Sequence, residues 1–297
     1  MIFSITNTCN LNCVGCYAKA IRPQVKKELT EEELNNIMNQ AHELGISFVV
    51  VAGGEPFLRK ELFQITKKYP DIIFIIFTNG VLIDEPKLNA MKKQKNIVPL
   101  ISLEGCETET DQRRGKGIYV RLQKIMKKLH EQNVFFGTSL TLTQSNFDNI
   151  TSESFIQSLV DAGCKFFLFV EYNPIKPGTE QWMVTDEQRK KIMDITRSFK
   201  SKWKALFIAV PGDEEEIGGC LSAGRGFIHI SAEGDVEPCP FAPYSDMNLR
   251  NVTLKEALQS DFLREIRENH EKLSESKGSC ALWEKREWVQ SLLKNSK

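Results

Sequence analysis

The chain of 297 residues lacks a long apolar run, lacks an excess of charge of either sign and is poor in histidine. Each absence excludes something. The longest apolar stretches, Ile72 to Phe77 and Phe166 to Val170, fall well short of the roughly 20 residues a spanning helix needs, so no membrane partner is expected. Lysine plus arginine and aspartate plus glutamate balance at 39 each. That balance argues against a protein built to coat phosphates, and no nucleic-acid partner is expected. The N-terminal segment MIFSITNTCN has no basic n-region and no apolar h-region, so it does not read as a secretion signal. A cytoplasmic location follows as the expectation. The four histidines (His42, His130, His229 and His270) sit at no motif and receive no role.

What is present is cysteine, eight residues of it. In a reducing compartment these are not expected to pair as disulfides. Cys9, Cys13 and Cys16 fall in one short loop, Cys-Asn-Leu-Asn-Cys-Val-Gly-Cys, followed by Tyr17. Three cysteines in an Asn- and Gly-containing loop are poorly explained as small apolar core residues. Zinc remains an alternative, but its loops bring ligands in pairs and want four in all. Three thiolates suit an iron–sulfur cluster, in which each binds a separate iron. A four-iron cluster held this way keeps one iron open to a substrate or cofactor. Gly15 is expected to remove bulk where the backbone wraps the cluster.

The order of elements alternates apolar strands with amphipathic helices, which signals a parallel α/β domain. Strands are expected at Ile2–Ile5, Ser47–Val51, Ile72–Phe77, Ile97–Leu103, Val134–Leu142 and Lys165–Val170, with Leu206–Val210 a candidate seventh. Ile72–Phe77 is apolar throughout and reads as buried on both faces. Helices are expected near 30–44, 59–69, 119–132, 155–162 and 186–201, the first opened by Thr30 and three glutamates. Six β–α units imply an open, partial barrel with its site at the C-terminal ends of the strands.

Cys9-x3-Cys13-x2-Cys16-Tyr17 resembles the cluster loop of the radical S-adenosylmethionine (SAM) enzymes. Gly53-Gly54-Glu55-Pro56, Thr78-Asn79-Gly80, Ser102-Leu103-Glu104-Gly105 and Arg114-Gly115 resemble later motifs of that family, in its order, with Glu104 where Asp is commoner. The resemblance implies a partial (β/α)6 radical SAM barrel over residues 1–202. It implies a [4Fe-4S] cluster on Cys9, Cys13 and Cys16 that binds SAM. Reductive cleavage of SAM would give a 5′-deoxyadenosyl radical that abstracts hydrogen from substrate. Tyr17, Gly53, Gly54, Glu55, Pro56, Asn79, Ser102, Glu104, Arg114 and Glu171 become candidate cofactor-binding residues, Asn79 and Glu171 as strand-end residues facing the cavity. Within that set, Gly53 and Gly54 would admit the methionyl end of SAM. Ser102 and Glu104 would meet its carboxylate or ribose, and Arg114 its carboxylate. An ion pair within the protein is the competing reading for Arg114.

Cys220, Cys239 and Cys280 follow the barrel. Gly219-Cys220-Leu221, an apolar stretch at Phe227–Ile230, a turn at Ala232–Asp235 and Pro238-Cys239-Pro240 resemble the SPASM or Twitch auxiliary-cluster region. That resemblance implies a small C-terminal region, 203–297, of β-hairpin plus helix, holding a second [4Fe-4S] cluster. Three cysteines exclude two auxiliary clusters, and Trp283 stands where a fourth ligand would be, leaving that ligand unassigned. Zinc is the alternative occupant. Cys164 reads as structural. Cys106, after Glu104-Gly105, is a candidate catalytic hydrogen donor, its plain alternative being a neutral loop cysteine.

A reductant such as flavodoxin or ferredoxin is an implied partner. The substrate is expected to be a small molecule or cofactor precursor, because the eight residues before Cys9 leave no fused peptide-recognition domain. A peptide-modifying maturase is the alternative. An iron–sulfur electron carrier is the alternative of another class, disfavoured by the intact SAM motifs.

Overall fold

The computed structural model describes residues 1–22, 27–215, 218–273 and 280–295. Nine strands are present among them: β1 (Ile2–Ser4), β2 (Phe48–Ala52), β3 (Ile73–Thr78), β4 (Ile97–Leu103), β5 (Gly137–Leu142), β6 (Phe166–Glu171), β7 (Leu206–Val210), β8 (His229–Ile230) and β9 (Val236–Glu237). The helices are α1 (Tyr17–Ile21), α2 (Glu31–Glu43), α3 (Leu62–Lys68), α4 (Glu85–Gln94), α5 (Glu107–Arg114), α6 (Ile118–Glu131), α7 (Phe147–Ile150), α8 (Glu153–Asp161), α9 (Asp186–Lys202), α10 (Gly212–Glu215), α11 (Leu254–Leu258), α12 (Asp261–Glu268), α13 (Ala281–Glu284) and α14 (Arg286–Asn295).

Helix boundaries follow local chemistry. Thr30 caps α2 and Glu33 reaches back to it, a capping box, and Thr185 with Gln188 does the same for α9. The helices without a counterpart in the sequence reading include α4 and α5. α5, Glu-Thr-Glu-Thr-Asp-Gln-Arg-Arg, buries only Thr110, so it carries no apolar stripe to betray it. α4 buries only Leu88 and Met91.

The strands form one sheet in the order β7-β6-β5-β4-β3-β2-β1-β8-β9. Every neighbouring pair is parallel except β8–β9. The sheet therefore crosses residue 202: β7 pairs with β6, and the C-terminal hairpin adds to β1 through Ile2↔His229. The expected hairpin turn is present, with Gly234 at φ +93° and its N–H donated to Ser231.

The two faces of the sheet differ. Phe3, Val49, Val51, Phe74 and Ile76 are buried against α2 and α3. The alternate positions, Val50, Ile75, Phe77, Val98, Ser102, Thr141, Leu168, Val170 and Ile208, are half-buried. β3 thus departs from the expectation of burial on both faces. Its inner face lines an open wall, where a closed eight-stranded barrel would interdigitate side chains. Phe48, Ile73 and Leu206, at strand starts, and Phe135, two residues before β5, are exposed.

Candidate active site and auxiliary site

The Cys9–Cys16 loop follows β1 and is fastened from several sides. The Val14 N–H donates to Arg113 O (2.9 Å), and Arg113 Nε returns a bond to Val14 O (3.2 Å). Lys19 Nζ donates to Leu11 O (2.9 Å) and Asn12 Oδ1 (2.8 Å). Cys9 Sγ accepts from the Leu11 N–H (3.5 Å) and from Asn79 Nδ2 (3.8 Å). Gly15, at φ +69°, has a reason other than wrapping a cluster. A Cβ there would lie 2.4 Å from the Trp182 ring and 2.9 Å from the Tyr172 hydroxyl.

The three thiols act on one another. Burial pushes the Cys9 thiol up, the Leu11 N–H opposes this, Glu55 and Cys16 add to it, and Lys19 opposes it. Burial also raises Cys13; Arg114 opposes, Cys16 and Cys9 add, and Arg113 opposes. Thiols that raise each other's pKa are relieved when cations bind their thiolates. This donor set therefore fits an iron–sulfur cluster. Among the described residues no three His, Cys, Asp or Glu side chains converge on a single ion. Cluster thiolates bound to separate irons have no need to.

The glycine-rich motif serves the chain's own backbone. A Cβ on Gly53 would lie 2.2 Å from Thr6 O, and one on Gly54 2.1 Å from Thr8 O. Gly54 and Glu55 N–H groups donate to those two oxygens at 2.7 and 2.8 Å. The close approach expected toward SAM is made here to the strand that enters the cysteine loop. Glu55 is fully buried, with its carboxylate accepting from Thr78 Oγ1 (2.8 Å), Phe57 N (3.1 Å) and Asn79 N (2.8 Å). Burial pushes its carboxyl up, and the Asn79, Thr78 and Phe57 bonds oppose that. Pro56 opens a short turn, Pro56–Leu58. Asn79 also donates to Asn10 Oδ1 (2.8 Å), which ties the end of β3 to the loop.

Two acidic candidates are engaged within the protein. Buried Glu104 accepts from Arg113 Nη1 and from Arg114 Nε (3.0 Å) and Nη2 (2.5 Å). Both of its oxygens are thus engaged, and the Arg114–Glu104 pair is the ion pair that stood as the competing reading for Arg114. Glu171 alternates with Val170 onto the helix-facing side of β6, where Arg189 Nε of α9 donates to it at 3.0 Å. It does not face the inner wall as expected, because the strand period of two turns it outward. Ser102 does lie on the inner face, in register with Ser139. Exposed Cys106 precedes α5 and donates to Asn149 Oδ1 (3.8 Å). No contact among the described residues brings it to the cysteine loop. Arg113 was missed by sequence reasoning. Its neighbour matched a motif, and it carried no signal beyond adjacency.

The second cysteine group also assembles. The Cys239 thiol is raised by its hydrogen bond to Cys280, then by burial, with Cys280 and Cys220 charges adding and the Phe241 N–H opposing. Cys220 Sγ donates to Ser222 Oγ (3.2 Å), and the Cys280 N–H donates to Asn173 Oδ1 (2.9 Å). Tyr17 stands between the two groups. Its ring meets Phe241 edge-on at 4.8 Å, and burial, Cys16 and Cys239 raise its hydroxyl pKa.

The chain is similar to known proteins in sequence and in fold. A radical SAM superfamily model matches residues 3–152, and SPASM, an iron–sulfur cluster-binding domain, matches residues 220–281. The AdoMet-dependent heme synthase of Methanosarcina barkeri is 24% identical over 310 residues, covering 95% of this chain and 87% of that protein. The subtilosin biosynthesis protein AlbA of Bacillus subtilis is 27% identical over 260 residues, covering 84% of this chain and 56% of AlbA. Streptococcus suis SuiB bound to its precursor peptide SuiA superposes with TM-score 0.71 at 17% identity, over 89% of this chain and 65% of SuiB. The enzyme anSMEcpe with bound AdoMet and a peptide superposes with TM-score 0.72 at 17% identity, over 100% of this chain and 99% of that one. The two structural matches speak to fold alone.

Proposed function

Because the chain belongs to the radical SAM superfamily and carries a SPASM iron–sulfur domain, we propose that it oxidises or rearranges a small molecule or cofactor precursor whose body is apolar. The family uses a [4Fe-4S] cluster and SAM, and the SPASM domain adds auxiliary iron–sulfur chemistry. Cys9, Cys13 and Cys16 would hold the first cluster, and Cys220, Cys239 and Cys280 the second. When bound, the first supplies the electron for reductive cleavage of SAM and, through it, hydrogen-atom abstraction from substrate.

The chain's own residues prepare that chemistry. Asn79 and the Leu11 N–H donate to Cys9 and favour its thiolate. Arg113 fixes the loop at Val14 while its guanidinium lies over the Tyr172 ring, 5.7 Å from the centroid. Ser102, Ser139 and Thr141 offer neutral hydrogen bonds on a wall otherwise made of Val50, Ile75, Phe77, Val98, Leu168, Val170 and Ile208.

That wall is the observation that carries the substrate class. No charged side chain lies on the inner face of β2 to β7, and Arg113, Arg114 and Arg189 are already paired with Glu104 or Glu171. A substrate whose body is an apolar ring or chain would find matching surface there. The near full-length match to the heme synthase favours a cofactor precursor. A peptide substrate is the second reading, favoured by the 27% identity to AlbA, a bacteriocin biosynthesis protein. The test is anaerobic reconstitution with dithionite and SAM, measuring 5′-deoxyadenosine with an iron porphyrin or a cysteine-bearing peptide added. Stimulation by the porphyrin supports the first reading. Stimulation by the peptide alone replaces it with the second. A flavodoxin or ferredoxin is the proposed physiological reductant.

A further inference from the structure

The hairpin that precedes Cys239 is joined to both ends of the Cys9–Cys16 loop by a buried polar chain. Ser4 and His229 lie on the inner face of the sheet, since Ile2, two residues before Ser4, is in register with His229, and His229 faces Glu237 across the hairpin. Ser4 Oγ and His229 Nε2 are 2.8 Å apart, and His229 Nδ1 and Glu237 Oε2 are 2.7 Å apart. Glu237 Oε1 accepts from Arg22 Nη2, and Arg22 Nε lies 3.5 Å from Glu233 Oε2. Glu233 Oε1 accepts from Asn7 Nδ2 at 2.7 Å, which closes the chain back onto the loop entrance.

All but Arg22 and Asn7 are buried below a tenth of their surface. Ser4 and Asn7 stand before Cys9, Arg22 follows Cys16 through α1, and Glu237 stands two residues before Cys239. The polar chain thus runs from one cysteine group to the other and back. The Tyr17–Phe241 contact links the same two segments a second time. Glu233 Oε2 makes no hydrogen bond and meets only the Arg22 charge, but the rest of this buried network is paired, and it favours one geometry because each partner left alone would be an uncompensated polar group in a low-dielectric site.

We propose that Ser4, Asn7, Arg22, His229, Glu233 and Glu237 form a clamp that sets the placement of the auxiliary cluster relative to the SAM cluster. These are positioning residues; none touches substrate. The inference rests on the reading of two cluster sites, and its test separates the two. His229→Ala and Arg22→Met proteins, loaded with iron, are compared with the parent by iron content, by amide hydrogen exchange and by EPR with both clusters reduced.

The clamp predicts that His229→Ala keeps about eight irons per chain. It predicts that exchange quickens about tenfold over residues 5–22 as well as over 229–237, the loss of one buried hydrogen bond's local protection. It also predicts an altered spin–spin interaction between the clusters. Arg22→Met, at the partly exposed end of the chain, should give the same pattern more weakly, and it carries the test if His229→Ala fails to fold. Faster exchange confined to 229–237, with 5–22 and the spin interaction as in the parent, would overturn the clamp. A parent holding only about four irons would instead overturn the second cluster, and exchange, which needs no iron, would still decide the clamp.

Discussion

Cys13 and Cys239 meet different surroundings. Burial raises the Cys13 thiol, and two guanidiniums, Arg114 and Arg113, pull it back. Cys239 is raised first by its bond to Cys280 and then by burial, with one backbone N–H opposing. The first group is backed by a rigid loop fastened to Arg113, Lys19 and Asn79. The second is held as thiol against thiol at the edge of the same sheet. At the first site the thiols also stand above their ordinary range, but fixed cations and a backbone donor already oppose the rise before any metal binds. A site whose thiols hold each other's proton needs the metal itself to become charged.

The largest effect that tests this comparison comes from removing one ligand at each place. Cys13→Ala is expected to halve the iron and lower 5′-deoxyadenosine formation at least about a thousandfold, since the lost group holds the reacting cofactor. Cys239→Ala is expected to halve the iron and leave substrate-free SAM cleavage within about threefold of the parent. Equal loss of cleavage in both proteins would erase the distinction between the sites.

Next comes the ion pair behind the first loop. Glu104→Ala leaves Arg113 and Arg114 without their buried carboxylate, a change worth about 3–5 kcal/mol. Thermal unfolding should register it as a lower midpoint. Ser222→Ala, beside Cys220, removes a weaker bond and should cost about 1 kcal/mol. A comparable cost at the two positions would show that the first site owes nothing special to its ion pairs.

The charge difference can be sharpened without unfolding anything. Arg113→Met removes a cation near Cys13, so adding an electron there becomes harder and the midpoint potential of the first cluster should fall. A drop of roughly 60 mV corresponds to a factor of ten for a one-electron couple. The auxiliary cluster should stay where it is in an EPR-monitored titration. A shift shared by both clusters would mean that Arg113 acts through the fold and not through its charge.

Much of this architecture was written in local patterns. The strands β2, β3, β4, β6 and β7 were found within one residue at each end, because apolar runs between turn signals are a local property. The cysteine loop and its companion motifs were legible because ligand spacing is local too. Pairings across the chain were not. Glu104 was a candidate SAM contact from its motif alone, and nothing local announced that two arginines of α5, nine and ten residues later, fold back onto it. Glu171 was placed on the inner wall from its position at a strand end, and the strand period turned it outward. His229 received no role because its partners lie 225 residues before it and 8 after, across two strand pairings that no single segment encodes. The open inner face was hidden for the same reason. Val50 or Leu168 looks like core in sequence, and only the arrangement of the strands leaves it half-bare.

Cys164 supplies the control for the comparison, a thiol buried with no second thiol beside it and with the Lys165 charge the smallest of the influences on it. Its neighbours are Phe166 O at 3.3 Å and Thr138 Oγ1 at 3.8 Å, and burial pushes it up from 9.0 to about 12. A raised pKa means that the folded protein holds this proton more tightly than the unfolded chain. The resulting stability is fully present below pH 9 and is lost as pH rises toward 12. Cys164→Ala should therefore cost about 1 kcal/mol near neutrality, the price of a small cavity, and leave the iron of both sites unchanged. Between pH 9 and 12 the advantage of the parent over this variant should shrink in urea unfolding. If the parent instead gains on the variant as pH rises, burial is not what governs this thiol. The account of Cys13 and Cys239, which sets burial against cations in one and against a second thiol in the other, would then have to be rebuilt.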